Sequence, residues 1–98
     1  MKIFSIEEIK EIVKPIARRY GVQAIYLFGS YARGTATEDS DLDFLVFGGE
    51  GFKYSLVYAM GEDLRESFKK NIDIFEVHEV NGDSDFYREV MEERKRVA

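Results

Sequence analysis

Residues 28–47 read FGSYARGTATEDSDLDFLVF, which joins a Gly-Ser turn to a strand that carries two aspartates. Asp41 and Asp43 are two residues apart and lead into an apolar run that ends at Phe47. Because side chains alternate between the two faces of a strand, both carboxylates are expected on the same face. Two like charges repel each other unless a cation lies between them. Such hard oxygen ligands suit Mg²⁺, which binds one or two carboxylates together with substrate phosphates.

The composition narrows the class of protein. We expect residues 1–98 to form a single domain, because this length supports one core. A net charge of −5 argues against a broad basic surface, so a nucleic-acid partner is not expected. The absence of cysteine from the sequence excludes disulfides and thiolate zinc sites. Charged residues interrupt the apolar positions near the N-terminus and no run reaches transmembrane length, so we expect a cytoplasmic protein with no membrane partner.

Hydrophobic spacing predicts the element order α-β-(turn)-β-α-β-α, which indicates an α/β (α+β) fold with one sheet and helices packed on it. The first predicted element is a helix between Ser5, its capping residue, and Gly21, its C′ residue. It is followed by strands at Val22–Phe28 and Asp41–Phe47, a helix at Tyr54–Lys70, a strand at Ile72–Val77, and a last helix that begins after Asn81-Gly82. Pro15 is expected to kink or divide the first helix. The last helix is predicted to carry Val97 and to hold the basic group Arg94–Arg96 near its end.

The Asp-x-Asp pair and its neighbours indicate metal-assisted phosphoryl or nucleotidyl transfer. A site with two metal ions usually needs a third carboxylate, and Asp73 is the best candidate because it opens a separate strand. Gly29 lets the backbone come close to a phosphate, and Ser30 offers a hydroxyl beside it. Arg33 can reach the same phosphates with its guanidinium group.

Two other interpretations of the aspartates stay open at this point. Asp39, Asp41, Asp43 and Glu50 match positions 1, 3, 5 and 12 of an EF-hand calcium loop. However, position 6 of that loop needs glycine for a sharp turn, and Phe44 stands there instead. The second alternative is an acidic, solvated turn with no function, which becomes weaker when the Gly-Ser turn and the nearby arginine are considered together.

The other residues that could take part in function are interpreted as structural. His78, the only histidine, is expected to be structural or exposed rather than catalytic. Most aromatic side chains are expected in the core, with a surplus that is available for a partner-binding patch. The glycine-rich segment Gly48–Gly51 is interpreted as a plain turn in preference to a mobile loop over the site.

Three short motifs carry a family resemblance, and they are Gly29-Ser30, Arg33-Gly34 and Ser40-Asp41-x-Asp43. Together they resemble the motif of the nucleotidyltransferase superfamily related to DNA polymerase beta. The closest resemblance is to its smallest branch, the minimal nucleotidyltransferases, which are antitoxin partners of HEPN-domain toxins in prokaryotic two-gene modules. It extends over nearly the whole chain and implies a nucleotidyltransferase-type fold with one small mixed β-sheet.

The resemblance also implies roles for the site residues. Asp41, Asp43 and Asp73 would be the catalytic carboxylates and the ligands of Mg²⁺, with two ions expected. Asp73 would in addition help to activate the acceptor hydroxyl.

On the phosphate side, the resemblance assigns triphosphate contacts to Gly29 and Ser30. Arg33 matches the arginine of the family, whose role is to contact phosphate or to support the structure. Ser40 belongs to the same motif and is counted with the phosphate-binding residues.

The implied reaction is transfer of AMP from ATP to a tyrosine of the HEPN toxin, which silences the RNase activity of the toxin. Larger relatives add a domain that grips the base and the acceptor, and 98 residues leave little room for one. Base selection and acceptor binding would then depend on the last helix, a second subunit in a homo- or hetero-oligomer, or a partner protein. Two alternatives remain: an idle module that neutralises its partner by contact, and transfer to a small molecule or RNA.

Overall fold

The computed structural model describes residues 2–98, which form four helices and one four-stranded sheet. The helices are α1 (Ile6–Tyr20), α2 (Gly29–Arg33), α3 (Ser55–Phe68) and α4 (Asp85–Glu93). The strands are β1 (Ala24–Phe28), β2 (Leu42–Phe47), β3 (Ile72–Glu76) and β4 (Lys95–Arg96), and a 3₁₀ turn spans Val77–Glu79. None of these helices is long and apolar enough to cross a bilayer.

The sheet has the strand order β3-β2-β1-β4. β1 pairs antiparallel with β2 and with β4, whereas β2 pairs parallel with β3. The two central strands are therefore consecutive in the chain, and α3 provides the crossover that returns the chain to the edge for β3. The predicted α/β (α+β) class with a small mixed sheet is confirmed.

The first helix begins and ends where the sequence predicts. The Ser5 hydroxyl accepts a hydrogen bond from the Glu8 backbone N–H, and the Glu8 carboxylate accepts one from the Ser5 N–H, which completes a capping box. Gly21 closes the helix in a left-handed conformation with φ of 66°. The prediction that Pro15 could divide this helix is wrong, since α1 is continuous through it. Burial of the residues on either side, such as Val13, stabilises the helix despite the missing N–H.

The C-terminal segment differs from its prediction. α4 ends at Glu93, and Arg94 takes an extended conformation. Lys95–Arg96 then pairs with β1 as β4, so the basic group does not lie near a helix end and Val97 is not on the helix. Val97 instead joins the main core, where it is almost fully buried. A two-residue strand of basic residues has no hydrophobic alternation, so it exists only because β1 offers a free edge.

The alternation of β2 divides the sheet into two unlike faces. Leu42, Phe44 and Val46 lie on what we call the core face, where they are fully buried in one cluster with residues of α1 and α3. Asp43 and Leu45 lie on the opposite face, which we call the carboxylate face. There Leu45 packs in a second cluster that includes one buried residue of α4.

Candidate functional site

The pairing of β2 with β3 brings two of the predicted carboxylates together. The two strands run parallel, and Asp43 is the direct register partner of Asp73. Both side chains lie on the carboxylate face, and their carboxyl groups are within hydrogen-bonding reach of each other. Two residues that are thirty positions apart in the sequence therefore form one acidic pair.

This arrangement changes the acidity of Asp43. Partial burial is the largest cause of a pKa raised from 3.8 to about 7 at Asp43, and the neighbouring carboxyl groups of Asp73 and then Asp41 act in the same direction within that total. The Arg33 guanidinium acts in the opposite direction and lowers the pKa of Asp43. A cation bound beside these carboxyl groups would favour their charged forms.

Gly29 lies directly against Asp43. Its φ is 74°, and a Cβ atom added to Gly29 would stand 2.2 Å from Asp43 Oδ2. The antiparallel register explains the approach, because Phe28, the residue before the glycine, is the partner of Asp43. Both the conformation and the close contact require glycine. The Gly-Ser turn and the aspartate strand thus form one site rather than two separate motifs.

The other residues predicted to contact phosphate differ in position and in hydrogen-bond partner. Ser30 is half-buried in the first turn of α2, beside Gly29. Arg33 ends that helix, and its Nη1 donates a hydrogen bond to Glu93 Oε2 at 3.0 Å. The Ser40 hydroxyl accepts a hydrogen bond from the Thr37 N–H at 2.8 Å, so it stabilises the loop in which it lies.

Asp41 stands at the edge of this group. The sequence predicted Asp41 as the first residue of the strand, but β2 begins at Leu42, so Asp41 lies in the preceding loop, where it is exposed. Lys70 Nζ donates to the carbonyl oxygens of Glu38 and Ser40 at 2.6 and 3.3 Å, which holds the loop before Asp41 against the start of β3. A cleft of about 510 Å³ opens beside this loop and is lined by Asp41 but not by Asp43. Its volume lies in the range of small-ligand sites.

The donor set fits magnesium only in part. Within residues 2–98, no three carboxylate or histidine side chains are gathered closely enough to enclose a metal ion as they stand. Asp43 and Asp73 form a close pair, while Asp41 lies in the loop. Because Mg²⁺ retains water and takes phosphate oxygens as ligands, two or three carboxylates are sufficient for it. The residues therefore suit a metal ion that binds together with a nucleotide.

The structure excludes the calcium-loop interpretation. An EF-hand loop would have to turn sharply at Phe44, whereas this residue is fully buried in the middle of β2.

His78 has a structural partner. Its Nδ1 lies 2.8 Å from Oε1 of Glu76, a carboxylate that is almost fully buried at the end of β3. The backbone N–H of His78 donates to the same oxygen, and Glu79 caps the N–H of Glu76 in return. These contacts close the 3₁₀ turn, which agrees with the structural interpretation of the histidine.

Two residues that support the site were not found from the sequence. Glu93 pairs with Arg33 across 60 positions, and Lys70 holds the loop in front of Asp41. Neither belongs to a local motif, because both act through contacts that exist only in the folded chain.

The family of the chain is shown by direct comparison. Residues 7–98 match the family described as Polymerase beta, Nucleotidyltransferase. The chain belongs to this family. It is 35% identical over 77 residues to the candidate protein adenylyltransferase MJ0435 of Methanocaldococcus jannaschii, which covers 79% of this chain and 83% of that protein. It is 48% identical over 50 residues to protein adenylyltransferase MntA of Thermococcus cleftensis, which covers 47% of this chain and 50% of that protein.

Solved structures share the fold of this nucleotidyltransferase. A candidate minimal nucleotidyltransferase superposes with a TM-score of 0.78 at 28% identity, over 97% of this chain and 98% of that chain. A chain of a toxin–antitoxin complex with AMP-PNP gives a TM-score of 0.77 at 21% identity, over 91% and 72% of the two chains. A chain from the complex of tri-AMPylated Shewanella oneidensis HEPN toxin with MNT antitoxin gives 0.72 at 17% identity, over 95% and 71%. The family and fold predicted from the motifs are confirmed.

Proposed function

We propose that this nucleotidyltransferase transfers AMP from ATP to a tyrosine hydroxyl of a HEPN-domain toxin and thereby acts as its antitoxin. One observation carries the proposal: the Gly29 backbone lies against Asp43, which in turn pairs with Asp73. This arrangement places a backbone turn suited to phosphate beside the acidic pair. The named relatives support the choice of reaction, because one of them is protein adenylyltransferase MntA.

Asp41, Asp43 and Asp73 are the residues that would hold Mg²⁺, with two ions expected. When bound, Mg²⁺ neutralises phosphate charge and aligns the entering and leaving oxygens. The raised pKa of Asp43 is consistent with this assignment, since it reflects partial burial first and then the neighbouring carboxyl groups of Asp73 and Asp41, and a bound cation would offset both.

The reaction exchanges one bond to phosphorus for another. The hydroxyl oxygen of the acceptor forms a bond to the α-phosphorus of ATP, and the bond from that phosphorus to pyrophosphate breaks. The acceptor proton passes to Asp73, whose exposed side chain is open to an incoming group. Gly29, Ser30 and Arg33 hold the phosphates, and Arg33 also offsets negative charge at Asp43.

The acceptor is assigned to a second protein. One structural neighbour comes from a complex of a tri-AMPylated HEPN toxin with an MNT antitoxin, which supports a HEPN partner. Tyr54, Tyr58 and Phe86 are large aromatic side chains exposed in this structure, and such groups are common at protein interfaces.

Labelled ATP tests the reaction. Purified protein, Mg²⁺, ATP labelled at the α-phosphate and the HEPN protein encoded by the adjacent gene should yield a labelled toxin, with the modified tyrosine located by mass spectrometry. The double variant Asp41→Ala/Asp43→Ala should lose transfer, because both predicted metal ligands are removed. Asp39→Ala is the matched control, since it removes an exposed acid from the same loop. Absence of transfer by the wild type, or full transfer by the double variant, would contradict the proposal.

A second candidate is an idle module that neutralises its partner by contact. One observation favours it: within residues 2–98 no three carboxylate or histidine side chains are gathered as a ready metal site. Cells that express the toxin distinguish the two functions. If the double variant protects them as well as the wild type, contact alone suffices, and if protection is lost while the proteins still bind each other, the enzyme is required.

A further inference from the structure

An ion pair joins the last helix to Arg33 of the candidate site. Arg33 Nη1 donates to Glu93 Oε2 at 3.0 Å, and the two side chains are 49% and 29% exposed. Arg33 belongs to α2, between the two central strands, whereas Glu93 is the last residue of α4. No other ion pair joins these two helices within the part of the chain that the structure describes.

The position of Glu93 is determined by burial elsewhere on α4. Val90 lies one turn earlier on the same side of the helix and is buried against Phe28 and Leu45. The Ser84 hydroxyl caps the start of α4 by accepting from the Tyr87 N–H. Glu93 is therefore presented from a helix that is held by its cap and by its buried face.

The pair leaves most of the guanidinium available. The Arg33 guanidinium carries five N–H donors, and the only side-chain hydrogen bond that it makes within residues 2–98 is the one to Glu93. Arg33 ends the five-residue helix that begins at Gly29, and the Gly29 backbone lies against Asp43, so the guanidinium is carried by the same short helix that meets the acidic pair. A long side chain loses substantial conformational entropy when it is fixed, so a partner that fixes it in advance reduces the cost of ligand binding.

We propose that Glu93 is a positioning residue, which holds Arg33 beside the acidic pair with its free N–H groups ready for the phosphates of ATP. This inference rests on the proposed function, since it assigns α4 a part in nucleotide binding. Glu93 touches neither substrate nor reacting atoms and acts only through Arg33.

Calorimetric titration with the non-hydrolysable analogue AMP-PNP and Mg²⁺ tests the inference. Glu93→Gln should raise the Kd about two- to five-fold, the range that an exposed ion pair supports. In transfer assays the change should appear in KM for ATP, with kcat nearly unchanged. Glu92→Gln, which removes the same charge from the adjacent exposed position, should leave the Kd as in the wild type.

A double-mutant cycle shows whether Glu93 acts through Arg33. In an Arg33→Gln background, Glu93→Gln should cause no further loss of affinity. Nitrogen NMR of the arginine side chains supplies a readout without nucleotide: the Arg33 guanidinium signals should be separated by slow rotation in the wild type and averaged in Glu93→Gln, but not in Glu92→Gln.

Tighter AMP-PNP binding by Glu93→Gln would overturn the inference, because it would mean that the carboxylate withholds Arg33 from the phosphates. An equal loss of affinity when Glu93→Gln is made in the Arg33→Gln background, or an equal loss in Glu92→Gln, would also overturn it. A wild-type protein that binds no nucleotide would overturn the proposed function as well, whereas normal binding by both the wild type and Glu93→Gln would overturn this inference alone.

Discussion

The two faces of the sheet are built from alternate residues of the same strand. On the core face, Leu42, Phe44 and Val46 are fully buried in one cluster with residues of two long helices. On the carboxylate face, Leu45 packs beneath the shorter α4, while Asp43 meets a second carboxyl group. One face of β2 therefore contributes to the apolar core, and the other face carries the candidate catalytic carboxylate.

The comparison teaches how a small domain can maintain an unfavourable charge cluster. Holding a half-buried carboxylate against a second, exposed one opposes folding unless a cation or a proton is present. The apolar face of β2 holds the strand in register with β3, and this register keeps Asp43 beside Asp73 whatever their repulsion. Stability and the candidate site are thus separated by face, which substitutions can test.

The largest expected effect lies on the core face. Phe44→Ala should lower the free energy of unfolding by about 3–5 kcal/mol, because it leaves a cavity under both helices. Phe75 is only partly buried on the carboxylate face, so Phe75→Ala should lower the free energy of unfolding by much less. Urea unfolding monitored by circular dichroism measures both values. Equal losses would show that the two faces contribute equally to stability, which would contradict the proposed difference between them.

The second effect concerns the contact between Gly29 and Asp43. Gly29→Ala should reduce AMP transfer at least about 100-fold, since displacement of a catalytic carboxylate by an ångström has effects of that size. Gly34→Ala is the matched control, because Gly34 also has a positive φ of 79° but an added Cβ meets nothing within 4 Å. Both variants should lose stability from backbone strain of about 1–3 kcal/mol.

An Asp43→Ala background separates the backbone strain of Gly29→Ala from the clash between its Cβ atom and the Asp43 carboxylate. There the Gly29→Ala and Gly34→Ala substitutions should cost the same free energy of unfolding, because the colliding carboxylate is gone. Transfer activity that survives Gly29→Ala in the wild-type background would mean that the close contact is not needed.

The smallest effect is a pH dependence of stability. The pKa of Asp43 is about 7 in the folded chain against 3.8 ordinarily, so the folded state binds a proton more tightly than the unfolded state. The associated stability is present below about pH 4 and is lost as the pH rises through 7. Without metal and above pH 7, the free energy of unfolding of Asp43→Asn should therefore be higher than that of the wild type by on the order of 1–2 kcal/mol, a value reduced for solvent screening.

Unfolding in EDTA from pH 4 to pH 8 measures this difference, with Asp39→Asn as an exposed control. The advantage of Asp43→Asn should vanish near pH 4 and should narrow when Mg²⁺ is added, because the cation then stabilises the wild-type carboxylates. A wild-type chain that gains stability relative to Asp43→Asn between pH 4 and pH 7 would contradict the assigned acidity.

Local patterns in the sequence predicted most of the fold. The capping box at Ser5 and the left-handed Gly21 are read from neighbouring residues, so the bounds of α1 could be predicted. The bounds of β4 could not, since Lys95–Arg96 has no strand pattern and depends on the free edge of β1. The exact start of β2 was also beyond the pattern, because Asp41 falls one residue outside the pairing with β3.

The sequence by itself determined which residues share a face and which family the chain belongs to, because strand alternation and short motifs are local properties. Tertiary structure alone decided that Asp43 stands beside Asp73, that Gly29 touches Asp43, and that Arg33 meets Glu93. These contacts join positions that are far apart along the chain, and they follow from strand register and helix packing, which no short stretch of sequence contains.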